Sequence, residues 1–168
     1  QVEWTLFSNY INNYINLQPS FPATLTIRGA FPTYRYSQVD AWFYGTEFAS
    51  TWSIHKRVQW HHRANITLAK DVSHDAFIVG IPPMRLESDL DLSLLNHDID
   101  KLTLNLGGSY TFRQVRIADS MDYVPAPNGY FLFQSNVVYQ THLAQKPILI
   151  HIGVDNLFNT RYRDYMNR

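Results

Sequence analysis

Ile148-Leu149-Ile150-His151-Ile152-Gly153-Val154-Asp155, continuing into Asn156-Leu157-Phe158-Asn159-Thr160-Arg161-Tyr162-Arg163-Asp164-Tyr165, decides how the rest of the chain is read. Its even positions Ile148, Ile150, Ile152 and Val154 are branched and apolar, whereas His151, Gly153 and Asp155 are small or ionisable. Side chains alternate along a β-strand, so the two sets face opposite ways. One face suits hydrocarbon and the other suits water.

The same period of two recurs upstream. Leu102, Leu104, Leu106, Gly108, Tyr110 and Phe112 oppose Lys101, Thr103, Asn105, Gly107, Ser109, Thr111 and Arg113. Leu86, Leu90, Leu92 and Leu94 oppose Glu87, Asp89, Asp91 and Ser93, and Val58, Trp60, Ala64, Ile66 and Leu68 oppose Gln59, His61, Arg63, Asn65 and Thr67. A more mixed segment places Trp42, Tyr44, Phe48 and Trp52 against Gly45, Glu47 and Ala49. Helical spacing is poor throughout. Seven strands are predicted, over 2–17, 34–54, 58–69, 84–95, 102–117, 130–143 and 148–158. Several exceed the five or six residues usual in soluble sheets.

The links alternate in length. Those after the second, fourth and sixth strands are short (55–57, 96–101 and 144–147), and those after the first, third and fifth are long and rich in Pro, Gly and acidic residues (18–33, 70–83 and 118–129). In an antiparallel up-and-down meander this places every tight turn at one end and every long loop at the other. Transmembrane barrels of the outer-membrane type have that asymmetry. Aromatics, 15% of the chain, gather near strand ends (Tyr10, Tyr14, Tyr34, Tyr36, Trp42, Trp52, Trp60, Tyr110, Phe112, Tyr130, Phe131, Phe133), as interfacial girdles do. The fold expected is all-β: an antiparallel meander of about seven long strands forming a partial transmembrane β-barrel. A soluble β-sandwich ligand-binding module shares the alternation and is the first rival.

Composition narrows the function classes. The 168 residues suffice for one domain, and a formal net charge of zero gives no basic surface for nucleic acid. The absence of cysteine excludes disulfides and thiolate metal sites. No apolar run approaches the roughly 20 residues of a membrane helix. No signal-like segment opens the chain, and Gln1-Val2-Glu3-Trp4 drops straight into strand pattern, so the sequence reads as an excised piece.

Four motifs carry a family resemblance. Val154-Asp155-Asn156-Leu157-Phe158-Asn159-Thr160-Arg161-Tyr162 resembles the motif that opens the last extracellular loop of TonB-dependent outer-membrane receptors. Tyr34-Arg35-Tyr36-Ser37-Gln38-Val39-Asp40-Ala41-Trp42-Phe43-Tyr44-Gly45-Thr46-Glu47 resembles that family's strand leading from a ligand loop to an inward Gly-x-Glu. Asn9-Tyr10-Ile11-Asn12-Asn13-Tyr14-Ile15 and Ile81-Pro82-Pro83-Met84-Arg85-Leu86 resemble two further strand motifs, the latter faintly similar to receptors for zinc uptake. The family has a plug domain, a TonB-contacting motif and about 22 strands around a plugged lumen. The resemblance therefore implies that residues 1–168 are a C-terminal segment of such a barrel, with plug, earlier strands and final strand absent. It implies active import, energised through TonB, of a scarce ligand such as a metal ion or metal chelate (siderophore or haem). Outer-membrane lipid, TonB, the receptor's own plug and a small-molecule or metal ligand are the partners implied, in the bacterial outer membrane.

On this reading Arg28, Tyr34, Arg35, His74, Asp75, Asp122, Tyr123, Arg161 and Arg163 lie in or beside ligand loops, where Arg and Tyr suit anionic or aromatic ligands and His with Asp suits a hydrated metal. Glu47, Arg63, Glu87, Asp89, Asp91, His151 and Asp155 fall on the lumen face, where they solvate a polar lumen or hold a plug. His61 and His62 are adjacent on a strand and point to opposite faces, so they do not chelate one ion. No cofactor and no resident metal site is expected. Glu87, Asp89 and Asp91 stand about 6.5 Å apart along one face. That spacing suits acid–base chemistry and makes an outer-membrane enzyme barrel the second rival. No nucleophile or oxyanion constellation accompanies them, and a non-enzyme is expected.

Overall fold

A computed structural model, which describes residues 1–167, resolves the alternation into one curled antiparallel sheet. Its strands are β1 (Val2–Thr26), β2 (Gly29–His55), β3 (Val58–Asp71), the two-residue β4 (Ala76–Phe77), β5 (Arg85–Asn96), β6 (Lys101–Thr111), β7 (Tyr130–Leu143) and β8 (Lys146–Val154). They pair in the order β1-β2-β3-β5-β6-β7-β8, with β4 attached to the end of β3. Among the described residues β1 and β8 do not pair with each other, so the sheet is open with two free edges.

Register carries the two faces unbroken from strand to strand. Tyr10 pairs with Trp42, Trp4 with Phe48, Phe48 with Ala64, Ala64 with Leu86, Leu86 with Tyr110 and Tyr110 with Phe131, so these side chains share the outer face. Leu104 faces Val137, which faces Ile152, extending that face to the far edge. Three of its indole donors are paired within the sheet. The indole N–H groups of Trp4, Trp42 and Trp60 donate to the hydroxyls of Thr46 (2.6 Å), Ser8 (2.8 Å) and Ser88 (2.9 Å) on neighbouring strands. A donor facing hydrocarbon finds no water, and these bonds supply its partner.

The tight turns Lys56-Arg57, 97–100 and Ala144-Gln145 all lie at one end of the sheet, as predicted. Ala144 and Gln145 both have positive φ (49° and 65°), the left-handed geometry of a two-residue hairpin. At the other end one expectation is corrected. Residues 18–33 are not a loop but the continuation of β1 and β2 to a tip at Ile27-Arg28. Pro22 and Pro32 fall inside a register shift between Ser20↔Thr33 and Thr24↔Phe31, where no ladder N–H is needed. Pro19 sits on the edge strand, where a missing donor is tolerated.

Two strands end earlier than predicted. β6 stops at Thr111 because Gln114 and Ile117 turn inward and become buried. β8 stops at Val154 because Asn156, at φ 52°, folds the chain back. Its side-chain amide accepts from Thr160 N (2.8 Å) and donates to Thr160 O (3.1 Å).

The buried apolar cluster lies at the loop end, not in mid-sheet. Val39, Ala41 and Ala69 on the inner face meet Ile78, with Tyr14, Phe43 and Ile81 packed around them. The segment between β3 and β5 thus folds back over the inner face. Gln114 Nε2 donates to Ile81 O at 2.9 Å and fastens it there.

Candidate functional site

The inner face presents two groups of polar side chains at different heights. The first crosses the middle of the sheet. Arg63 Nε contacts Glu87 (2.8 Å) while its Nη2 reaches Asp89 (3.3 Å), and Arg85 holds the other oxygen of Glu87 (2.9 Å). Gln134 donates to Asp89 across β6 (3.2 Å). His61 Nε2 lies 3.2 Å from Asp91, and its Nδ1 lies 3.0 Å from the Thr51 hydroxyl. Asn105 donates to Asp91 (2.7 Å) and accepts from Asn136 (3.4 Å). A neutral His61 protonated on Nε2 satisfies both of its neighbours.

Of the residues predicted to face the lumen, Arg63, Glu87 and Asp89 join in one cluster, and Asp91 lies in a neighbouring one with His61 and Asn105. Glu47 joins Arg63 and Glu87 in lining a shallow depression of about 340 Å³ with Glu3 and Arg85. His151 lies on the same face, on the edge strand β8 beside β7, and is exposed, and Asp155 is exposed beyond that strand's end. The sequence reading missed His61 and Asn105 as members. Their signal was present, since both lie on the polar side of the alternation.

The second group lies under the loops. A register shift between Ile11↔Ala41 and Tyr14↔Val39 inserts one extra residue into β1, with Asn13 at φ 56°. The bulge exchanges the faces of β1, because a one-residue offset reverses every later side chain. Asn16 and Gln18 therefore turn inward beside their register partners Ser37 and Arg35. With Asp71, His74, Phe21, Phe77 and Met121 they line a cavity of about 460 Å³. Asn16 and Asp71 are 5% and 3% exposed. His74 Nδ1 lies 2.8 Å from Asp71 Oδ2, and the His74 amide donates to Asp71 Oδ1 (3.1 Å).

The predicted loop residues separate accordingly. Arg35 and His74 meet at this cavity. Asp75 does not act with His74, because it is ion-paired to Lys70. The hydrogen bond from Lys70, and then its charge, hold the Asp75 carboxyl below the usual carboxylate range. Tyr123 ties the loop after β6 to the β1–β2 hairpin. Its hydroxyl donates to Ser20 O and accepts from Thr33 N (3.2 Å), two backbone groups beside the register shift. Tyr34 packs edge-on against the same ring, with centroids 5.7 Å apart. Asp122 is buried beside it and accepts from the Tyr123 amide at 2.8 Å. Arg163 Nη2 donates to Pro125 O (2.5 Å), whereas Arg161 and Arg28 are exposed, Arg28 at the hairpin tip. Among the described residues no three His, Cys, Asp or Glu side chains are placed to hold a metal ion.

A curled antiparallel sheet with one apolar face, one charged face, and turns and loops segregated to opposite ends is the wall of a transmembrane-type β-barrel. Comparison with solved structures finds that wall in a protein titled copper transporter OprC, with a TM-score of 0.80 at 17% identity over the whole of this chain. The chain spans 24% of the length of that structure. No protein-family model and no curated protein sequence matches the chain.

Proposed function

We propose that the chain forms part of the wall of an outer-membrane transport receptor, one that captures a scarce ligand such as a metal ion or metal chelate and imports it with energy from TonB. One observation carries this reading. The sheet pairs an exposed apolar face with a hydrogen-bonded ionic inner face, and the segment between β3 and β5 folds back over the inner one. A soluble sandwich would cover the apolar face with a second sheet, and among the described residues none does so. The similarity to a structure titled a copper transporter supports uptake as the activity and a metal as one candidate cargo. Glu87, Asp89 and Asp91 on the inner face are engaged by arginine, histidine and amide side chains, which favours a plug-holding or lumen-lining role over acid–base catalysis. The motifs in 154–162 and 34–47 support a receptor whose plug and TonB contact lie in other parts of the protein.

The test is uptake by cells expressing the full-length protein. Outer-membrane fractionation and accumulation of labelled copper and ferric chelates are compared with and without TonB. Accumulation that requires both the receptor and TonB is expected. Recovery of the protein in the soluble fraction would overturn the reading.

A further inference from the structure

The cavity under the loops carries more chemistry than the uptake reading uses. Its floor is a two-by-two block of inward side chains: Asn16 directly opposite Ser37, and Gln18 directly opposite Arg35. Opposed pairs stand about 4.5–5.5 Å apart at Cβ, and pairs along one strand about 6.5–7 Å apart, close enough for one small group to touch several. Arg35 has no ion-pair partner among the described residues, and Ser37 Oγ is buried without a hydrogen-bond partner there. Buried polar groups in folded proteins are almost always paired, so a lone hydroxyl beside a free guanidinium marks a place for an acceptor. Among the described residues the one carboxylate at the cavity, Asp71, is already engaged by His74. Opposite the polar block, Phe21, Phe77 and Met121 supply apolar walls.

We infer that this cavity binds a small organic anion with an apolar or aromatic body, its charged end on Arg35, Ser37 and Asn16. The inference rests on the transport reading and names the cargo chemistry of that receptor. The volume of about 460 Å³ falls within the roughly 300–1,000 Å³ of small-molecule sites. A guanidinium recognises a carboxylate through charge-assisted, often bidentate hydrogen bonds, and the same guanidinium repels a bare cation. The anion can arrive free or as the outer surface of a metal chelate, and the two sources share this chemistry.

The test uses calorimetric titration of the full-length receptor in detergent with salicylate, its neutral analogue salicylamide, the copper(II)–salicylate chelate and copper(II) alone. Salicylate is expected to bind, and Arg35→Gln to weaken it about 10–100-fold, the range for loss of a hydrogen bond to a charged group. Salicylamide should bind weakly and be indifferent to that substitution. Ser37→Val, which fills the floor without altering charge, should also weaken salicylate, while Arg57→Gln at the opposite end should not. Circular dichroism confirms the sheet in each variant. Tighter binding of the chelate identifies a metal-carrying anion, and tighter binding of free salicylate identifies a metal-free one; either supports the site. Failure of salicylate and its chelate to bind, equal binding by the wild type and Arg35→Gln, or copper(II) alone binding in a manner lost in His74→Ala would overturn it. Copper accumulation that persists alongside such a failure would leave transport standing and remove only this cargo assignment.

Discussion

Asp89 and Gln134 meet over Gly107. The amide of Gln134 on β7 donates to the carboxylate of Asp89 on β5 at 3.2 Å, across the intervening strand β6. A Cβ built on Gly107 would stand 2.8 Å from Gln134 Nε2 and would collide with Asp89 Oδ1. The bond spans two strand spacings only because the middle residue has no side chain. Gly153 is placed similarly beside the Asn136 amide.

Gly107→Ala is therefore expected to destabilise the sheet by about 1–3 kcal/mol, in the range for overpacking, although alanine is no worse than glycine as a strand former. Denaturant unfolding of the folded receptor measures it. Gly29→Ala at the hairpin tip is a useful contrast, because no atom stands near its added Cβ and its cost comes from a φ of 124°. An unchanged midpoint for Gly107→Ala would mean that the Asp89–Gln134 bond contributes nothing.

Arg63 is mostly exposed, yet one of its partners is not. The Asp89 side chain is 12% exposed against 62% for Arg63. Removing the arginine leaves a shielded carboxylate with only Gln134, so Arg63→Ala is expected to cost about 1–2 kcal/mol, above the median for surface ion pairs. Asp89→Asn in the Arg63→Ala background should recover part of that loss. A double-mutant cycle on unfolding free energy gives the coupling, and additive losses would show that the pair is not coupled.

The two-faced sheet was legible because a period of two is local and repeats over many residues. The parity of Leu102–Tyr110 or Ile148–Val154 needs no tertiary knowledge, and the register carries it from strand to strand, with one shift near the end of β5 between Ser93 and Leu95. The hairpin beyond Leu17 was not legible, since three prolines and a glycine in residues 18–33 spell a loop. Edge position and a register shift make those prolines harmless, and neither is visible locally. The cavity floor was hidden for a related reason. Asn16 and Gln18 read as outward if parity is counted from Val2, and the bulge at Asn13 reverses them. The single local hint was an Asn-Asn pair, a residue type that tolerates left-handed backbone. The inward fold of Ile78 depends on contacts with Val39 and Ala69, far away in sequence.

The native sequence contains no cysteine, so single cysteines report each face cleanly. Cysteine at Leu106 or Ile150 is expected to react with a membrane-dissolved maleimide in reconstituted receptor. Cysteine at Asn105 or His151 should react instead with a charged, water-soluble reagent. Arginine at Leu106 should cost about 2–4 kcal/mol if the residue lies near the bilayer midplane, and arginine at Asn105 much less. Reversed labelling, or equal labelling of neighbouring positions, would contradict a lipid-facing outer surface.

Gln114 decides whether the segment between β3 and β5 stays folded over the inner face. Its amide is buried, 4% exposed, and donates to Ile81 O, while the backbone of Arg116 donates back to its carbonyl oxygen at 3.3 Å. Gln114→Ala strands the Ile81 carbonyl and removes the strap that links two loops. The expected loss is about 1–3 kcal/mol, the cost of an unsatisfied buried group, felt in local opening more than in unfolding of the strands. Hydrogen exchange should accelerate at the Ile78 amide, which donates to Ala69 O at 2.9 Å, while amides within β6 and β7 keep their protection. Proteolysis within residues 72–84 should rise in parallel. If exchange at Ile78 were unchanged, the loop would be held by the Val39–Ala69–Ile78 cluster alone, and Ile78→Ala would then be the substitution that frees it.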